Sequence, residues 1–194
     1  MKRVVIFISL VFIIFAGCTY LPPLGIRKDF KYCLTREKTG LDTLIDINGY
    51  YAAAPGITQW NGRIWPNDTL IPAYVFYDNG FVFKTTAIDN FIKNKKIILL
   101  GMVEPGGYIL RGDTIKLQYV NAPGGQSRDL AEMWFKIIDR NTIERIETEK
   151  TTPLSYVELP SYAERIYIFR PLEINVKPED TWIYNKNWFR CKKK

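Results

Sequence analysis

There is no histidine among the 194 residues of this chain. That absence removes the Ser-His-Asp triad, the Cys-His pair and any His-built zinc site. Serines are few and none has a neighbouring base. The paired carboxylates Glu147/Glu149 and Glu179/Asp180 are not placed across a cleft, as glycoside hydrolysis needs. No calcium-loop spacing occurs, and there is no fixed-period repeat, heptad pattern or low-complexity tract. Neither catalytic residue, metal nor cofactor is expected, and the chain reads as non-enzymatic. Long apolar runs are missing too. The one candidate, Val4 to Phe15, is about a dozen residues, ~18 Å as a helix against a hydrocarbon layer of ~30 Å. It is too short to span comfortably.

What is there at the front is a signal. Lys2 and Arg3 precede the apolar run, and Ala16-Gly17-Cys18 closes it with two small residues and a thiol. This is the layout of a secretory signal peptide, residues 1–17. Its end resembles a bacterial lipoprotein box. The resemblance implies cleavage before Cys18, diacylation of its thiol and usually acylation of the new amino group. Two or more acyl chains hold a protein stably on a membrane. The expected location is the cell envelope, at the outer membrane, with the bilayer as a partner through Cys18. An ordinary secreted protein with a chance cysteine at the cleavage site is the alternative.

Removing the signal leaves 194 − 17 = 177 residues, enough for one domain with a core. Lys2 and Arg3 leave with it, so the formal charge falls from +7 to +5. That surplus is mild, and no nucleic-acid partner is expected. Residues 191–194 end in three lysines, a basic tail that is either simply solvated or in contact with an anionic surface. Cys33 and Cys191 remain after the anchor. In oxidising surroundings an even pair invites a disulfide joining the two ends of the domain; two unpaired thiols are the alternative.

Residues 18–43, with Pro22-Pro23 and mixed charges, read as the lipidated cysteine and a flexible tether, and 44–190 as the folded domain. Leu44 to Tyr51 reads as a first strand. Asn79-Gly80 between Ala73–Asp78 and Phe81–Lys84 is the pair preferred in two-residue primed turns. Ala87 to Lys96 has helical spacing. Further hairpins run through Arg111-Gly112-Asp113 and Asp139-Arg140-Asn141. Arg165–Arg170 is a late strand, and Trp182 to Phe189 a candidate closing strand. Aromatic residues at 14% suit pleated surfaces. The pattern predicts an all-β antiparallel meander closing into an up-and-down barrel, with at most one or two short helices. A β-sandwich is the alternative.

Asn48-Gly49-Tyr50-Tyr51, Tyr74 to Phe83 and Gly107 to Ile115, with the late Trp182/Trp188 region, resemble small Gram-negative lipoproteins that carry a lipocalin-like β domain. The resemblance implies a barrel whose mouth holds one small apolar or amphipathic molecule. Tyr74, Phe76, Phe83, Tyr119 and Trp134 are the candidate lining groups, against the plainer reading that aromatics fill a solid core. Asp68-Thr69-Leu70 resembles an O-glycan acceptor at Thr69, though turn chemistry explains the pattern as well. A turn likewise explains Arg111-Gly112-Asp113 without adhesion. The functional expectation is a lipid-anchored binding or interaction module for an envelope protein or small ligand. A carrier of a small apolar molecule comes second, and a carboxylate-based hydrolase a distant third.

Overall fold

The computed structural model describes residues 29–35, 37–53, 59–60, 63–64, 72–85, 88, 103–121, 129–146, 165–173 and 176–190. One helical turn, α1 (Leu41–Leu44), precedes ten strands. They are β1 (Gly49–Ala53), β2 (Gln59–Trp60), β3 (Arg63–Ile64), β4 (Ala73–Phe76), β5 (Phe81–Thr85), β6 (Val103–Arg111), β7 (Thr114–Asn121), β8 (Asp129–Asp139), β9 (Thr142–Ile146) and β10 (Ile166–Pro171). Eight close into an antiparallel barrel in the order β1-β10-β9-β8-β7-β6-β5-β4, while β2 and β3 pair only with each other. The meander therefore closes as expected, and the sandwich is excluded. The seam is completed on one side by Tyr51↔Tyr74 and Ala52↔Ala73. On the other, β1 pairs with β10 from Gly49↔Pro171 to Ala53↔Tyr167. Closure leaves none of the eight barrel strands with an open edge for another chain to extend.

Turn chemistry sets the hairpins. The Asn79-Gly80 turn is one residue longer than the two-residue form. Tyr77 N–H donates to Phe81 O at 3.0 Å around Asp78-Asn79-Gly80, and Gly80 takes φ 85°. This is the three-residue loop with a left-handed glycine, and Asn79 Oδ1 caps it by accepting from Phe81 N–H at 3.1 Å. At the next turn Arg111 pairs with Thr114, so Gly112-Asp113 is a true two-residue turn, with Gly112 at φ 61°.

Three expectations change in the flanking segments. The chain before Gly49 is not strand: Leu41–Leu44 is helical and extended pairing begins at Gly49. Residues 29–43 are not a free tether. Phe30, Tyr32, Leu34 and Leu41 are buried, because this segment lies along the barrel's outer wall and then crosses its end. Trp182 to Phe189 is a run of turns rather than a closing strand, since β1 already closes the barrel against β10. Of the expected helix over Ala87–Lys96, only Ile88 is among the described residues.

The described segments 29–35 and 182–190 strap the same side of the wall. The outward side chain of Gln118 accepts from Lys31 N–H at 2.7 Å and donates to Asp29 O at 3.1 Å. Phe189 packs on Phe81 with ring centres 5.7 Å apart and on Phe30 at 5.1 Å. The straps meet at Leu34, which pairs in parallel with Arg190 and donates its N–H to Phe189 O at 2.7 Å. Gly107 is required beneath them, because a Cβ there would collide with Tyr32 O. Wall residues under the straps, such as Val75, Phe81 and Phe83, are thus as buried as the interior.

Candidate functional site

Directly paired residues share a face of the sheet, so the register sorts the barrel interior level by level. Its two ends differ first in their connections. The turns at 77–80, 112–113 and 140–141 lie at one end. The longer segments 54–72, 86–102, 122–128 and 147–165 leave from the other.

The tight-turn end is sealed. Residues 39–46 form a bar across it: Thr39 N–H donates to Asp78 O at 2.7 Å, and Asp46 N–H to Arg140 O at 3.0 Å. Those two turns are diametrically opposite in the strand order. Leu41 and Ile45, on the bar, are fully buried. Below it the Tyr51 hydroxyl donates to Arg140 O at 2.8 Å and lies 3.0 Å from Asp46 O. Burial pushes this phenol well above its ordinary value. Rings from strands that are not neighbours then meet across the axis. Phe76 touches Tyr108 at 5.6 Å, Tyr74 touches Phe135 at 5.0 Å, and Phe135 touches Tyr167 at 5.2 Å. This part of the barrel is filled by its own side chains.

At the loop end each strand contributes one inward residue: Ala53, Tyr74, Lys84, Glu104, Tyr119, Ala131, Arg145 and Tyr167. The pairs Tyr74↔Lys84, Lys84↔Glu104, Tyr119↔Ala131 and Ala53↔Tyr167 fix the faces. Lys84 Nζ meets Glu104 Oε2 at 2.6 Å, with the two side chains only 17% and 18% exposed. The ammonium also lies 4.6 Å from the Tyr119 ring centre. Burial pulls the Lys84 ammonium down, but Tyr119 and Glu104 outweigh it and hold it above its ordinary value. Arg145 stands opposite the buried Phe135. That register puts Arg145 on the inward face, where it is half-buried, and its charge lowers the phenols of Tyr74 and Tyr167, which burial raises. The Tyr74 hydroxyl donates to Met133 Sδ at 3.0 Å.

Of the candidate lining residues, Tyr74 and Tyr119 fall in this ring and Phe76 in the ring-filled level below. Phe83 and Trp134 do not line the interior. Phe83 pairs with Val75 and Pro105 on the outer face, against Tyr77 and under the straps. Trp134 pairs with Lys116 outside, where the ammonium sits 3.4 Å from its ring centre. Both walls of β5 are apolar because the straps cover one of them, so alternation there does not distinguish in from out. The same ambiguity hid Lys84, and nothing local marks Glu104 or Arg145 as inward. Cys18, Thr69 and Cys191 lie outside the described residues. Cys33 is disulfide-bonded.

Two cavities lie away from the ring. One of about 410 Å³ is lined by Ile47, Asn48, Val75, Phe76, Tyr77, Leu172 and Glu173, where β1 and β4 part. The other, of about 330 Å³, lies by Leu34, Asn79, Tyr184 and Arg190 at the straps. Neither holds a convergent set of charges, and the ring does. Among the described residues no cluster of ligating side chains could hold a metal, and no helix is long and apolar enough to cross a membrane. Glu104 is the ring's one described carboxylate, and it is engaged by Lys84.

Fold and site together define a closed, antiparallel eight-stranded barrel, sealed at one end and charged at the other. The chain matches no family model, and neither a curated protein nor a solved structure matches it.

Proposed function

We propose that the protein is a lipid-anchored envelope lipoprotein, held by Cys18, whose barrel is a non-enzymatic binding module with its site at the loop end. The observation that carries the binding half is the ring of Lys84, Glu104, Arg145 and three tyrosines. Burying an ion pair gains little stability over apolar packing, so stability alone is a poor reason for charges in the interior. The sequence of residues 1–18, with its likeness to a lipoprotein box, supports the anchor. The barrel wall supports an aqueous setting. Lys136 is exposed, and Glu144 and Arg170 are half-buried on its outer face, which a lipid-facing wall would not tolerate cheaply.

In this reading the tether is short. Asp29 is already bonded to the wall, so residues 19–28 alone link it to the bilayer, a reach of about 35–40 Å at full extension. The straps are closed by a Cys33–Cys191 bond, since Leu34 pairs with the residue just before Cys191. Lipocalin-like carriage of a purely apolar molecule is the weaker reading, because the deeper interior is filled with rings.

An alkyne-bearing fatty acid fed to the producing cells labels the wild-type chain and not Cys18→Ala. Label on neither chain contradicts the anchor. Peptide mapping without reductant yields a fragment joining Cys33 to Cys191; a Cys33 fragment joined elsewhere contradicts the closed strap.

A further inference from the structure

Among its described residues, the charges of the ring do not balance: Lys84 and Arg145 are cationic and Glu104 alone is anionic. Glu104 is taken by Lys84 at 2.6 Å. Among the described residues Arg145 has no ion-pair partner. A guanidinium offers five donors in a planar fork that suits a carboxylate, and a half-buried one makes stronger use of them than one in water. Beneath lie Met133 and Phe135, which Tyr74 and Tyr167 of the ring contact directly, and this leaves no apolar shaft for a ligand's tail.

We infer that the ring binds an amphipathic organic anion head first, the carboxylate meeting Arg145 and Lys84 while the apolar body stays towards the mouth. This rests on the binding-module reading and reverses the order of a carrier that buries the apolar end deepest. Tyr119, whose ring already faces the Lys84 ammonium at 4.6 Å, flanks the head. Glu104 is the specificity element. It holds Lys84 in place and its own charge opposes the ligand, so a neutral amphiphile gains nothing from the ring and a dianion gains less than its second charge suggests.

The test is isothermal titration of the full chain in nanodiscs, with empty discs as blank, using octanoate and its neutral counterpart octanamide. Octanoate binds at least about tenfold more tightly than octanamide, the scale of one charge-assisted hydrogen-bonded contact. Arg145→Met removes that preference and Arg145→Lys keeps part of it. Glu104→Gln strengthens octanoate binding, and because it works in the opposite direction it separates ligand effects from damage to the fold. Weaker octanoate binding in discs rich in anionic lipid than in zwitterionic discs supports the same site and names a bilayer headgroup as the source; equal binding in both supports a soluble acid. Equal affinity for both probes, or an unchanged preference in Arg145→Met, overturns the inference and leaves the binding module standing. Binding of neither probe overturns both.

Discussion

At the tight-turn end Tyr51 directs its hydroxyl to the backbone of Arg140 and Asp46, whereas at the loop end Lys84 pairs with Glu104 at 2.6 Å and Arg145 stands at an inward register position. The same faces of the same strands thus do two jobs a few residues apart. Where connections are short, the bar of residues 39–46 can span from one turn to the opposite one, exclude water and let aromatic rings meet across the axis. Where connections are long, no such bar is in place among the described residues and charge is retained inside. One end stores stability and the other, among the described residues, carries more positive than negative charge, and each can be altered separately.

The largest effect falls at the filled end. Phe135→Ala deletes a ring that contacts Tyr74 and Tyr167 and lowers unfolding free energy by about 4 kcal/mol, read from urea denaturation. A loss under about 1 kcal/mol would mean the interior is not packed solid. At the charged end Lys84→Met alone costs about 3 kcal/mol, because Glu104 is left buried without its partner. Lys84→Met/Glu104→Met together fall within about 1 kcal/mol of the wild type or above it. Equal losses for single and double variants would erase the contrast between the ends.

Alkali acts on both ends at once. Burial raises Tyr51, Tyr74, Tyr108 and Tyr167 above the ordinary phenol value. Each keeps its proton in the folded chain after the unfolded chain has lost it. Stability is therefore complete below about pH 10 and falls as the pH rises above that. Urea midpoints at pH 8, 10 and 11 check this, and a flat profile through pH 11 would contradict it. Smallest is Gly112→Ala, at an open hairpin tip with φ 61° and nothing within 4 Å of a new Cβ. Backbone strain alone costs about 1 kcal/mol there.

The fold was legible because its signals are local. Thr114 to Val120 alternates apolar and polar residues, Gly112 and Gly80 mark turns, and a long meander has one good way to hide its edges. The terminal straps were not legible. Phe30, Tyr32 and Leu34 alternate over too few residues beside a charged stretch, and their burial depends on a wall made ninety residues later, around Gln118. That long-range cover also blurred the site. With straps over β5, Phe81 and Phe83 face outward and are still fully buried, so the bulky residues pointed to the wrong face and nothing marked Lys84 as inward. Tyr119 was legible because Ile115, Leu117 and Tyr119 alternate with Lys116 and Gln118, whereas Tyr74 stands in the run Ala73–Phe76, buried on both faces, where alternation marks neither face.

The contrast between the ends is tested most directly by following backbone amides of isotope-labelled full-length chain in nanodiscs as octanoate is added. The account predicts shifts centred on Lys84, Glu104, Tyr119 and Arg145, with Tyr51, Ile45 and Arg140 unmoved. Shifts centred on the bar across the tight-turn end, or on the outer wall around Trp134, would contradict it.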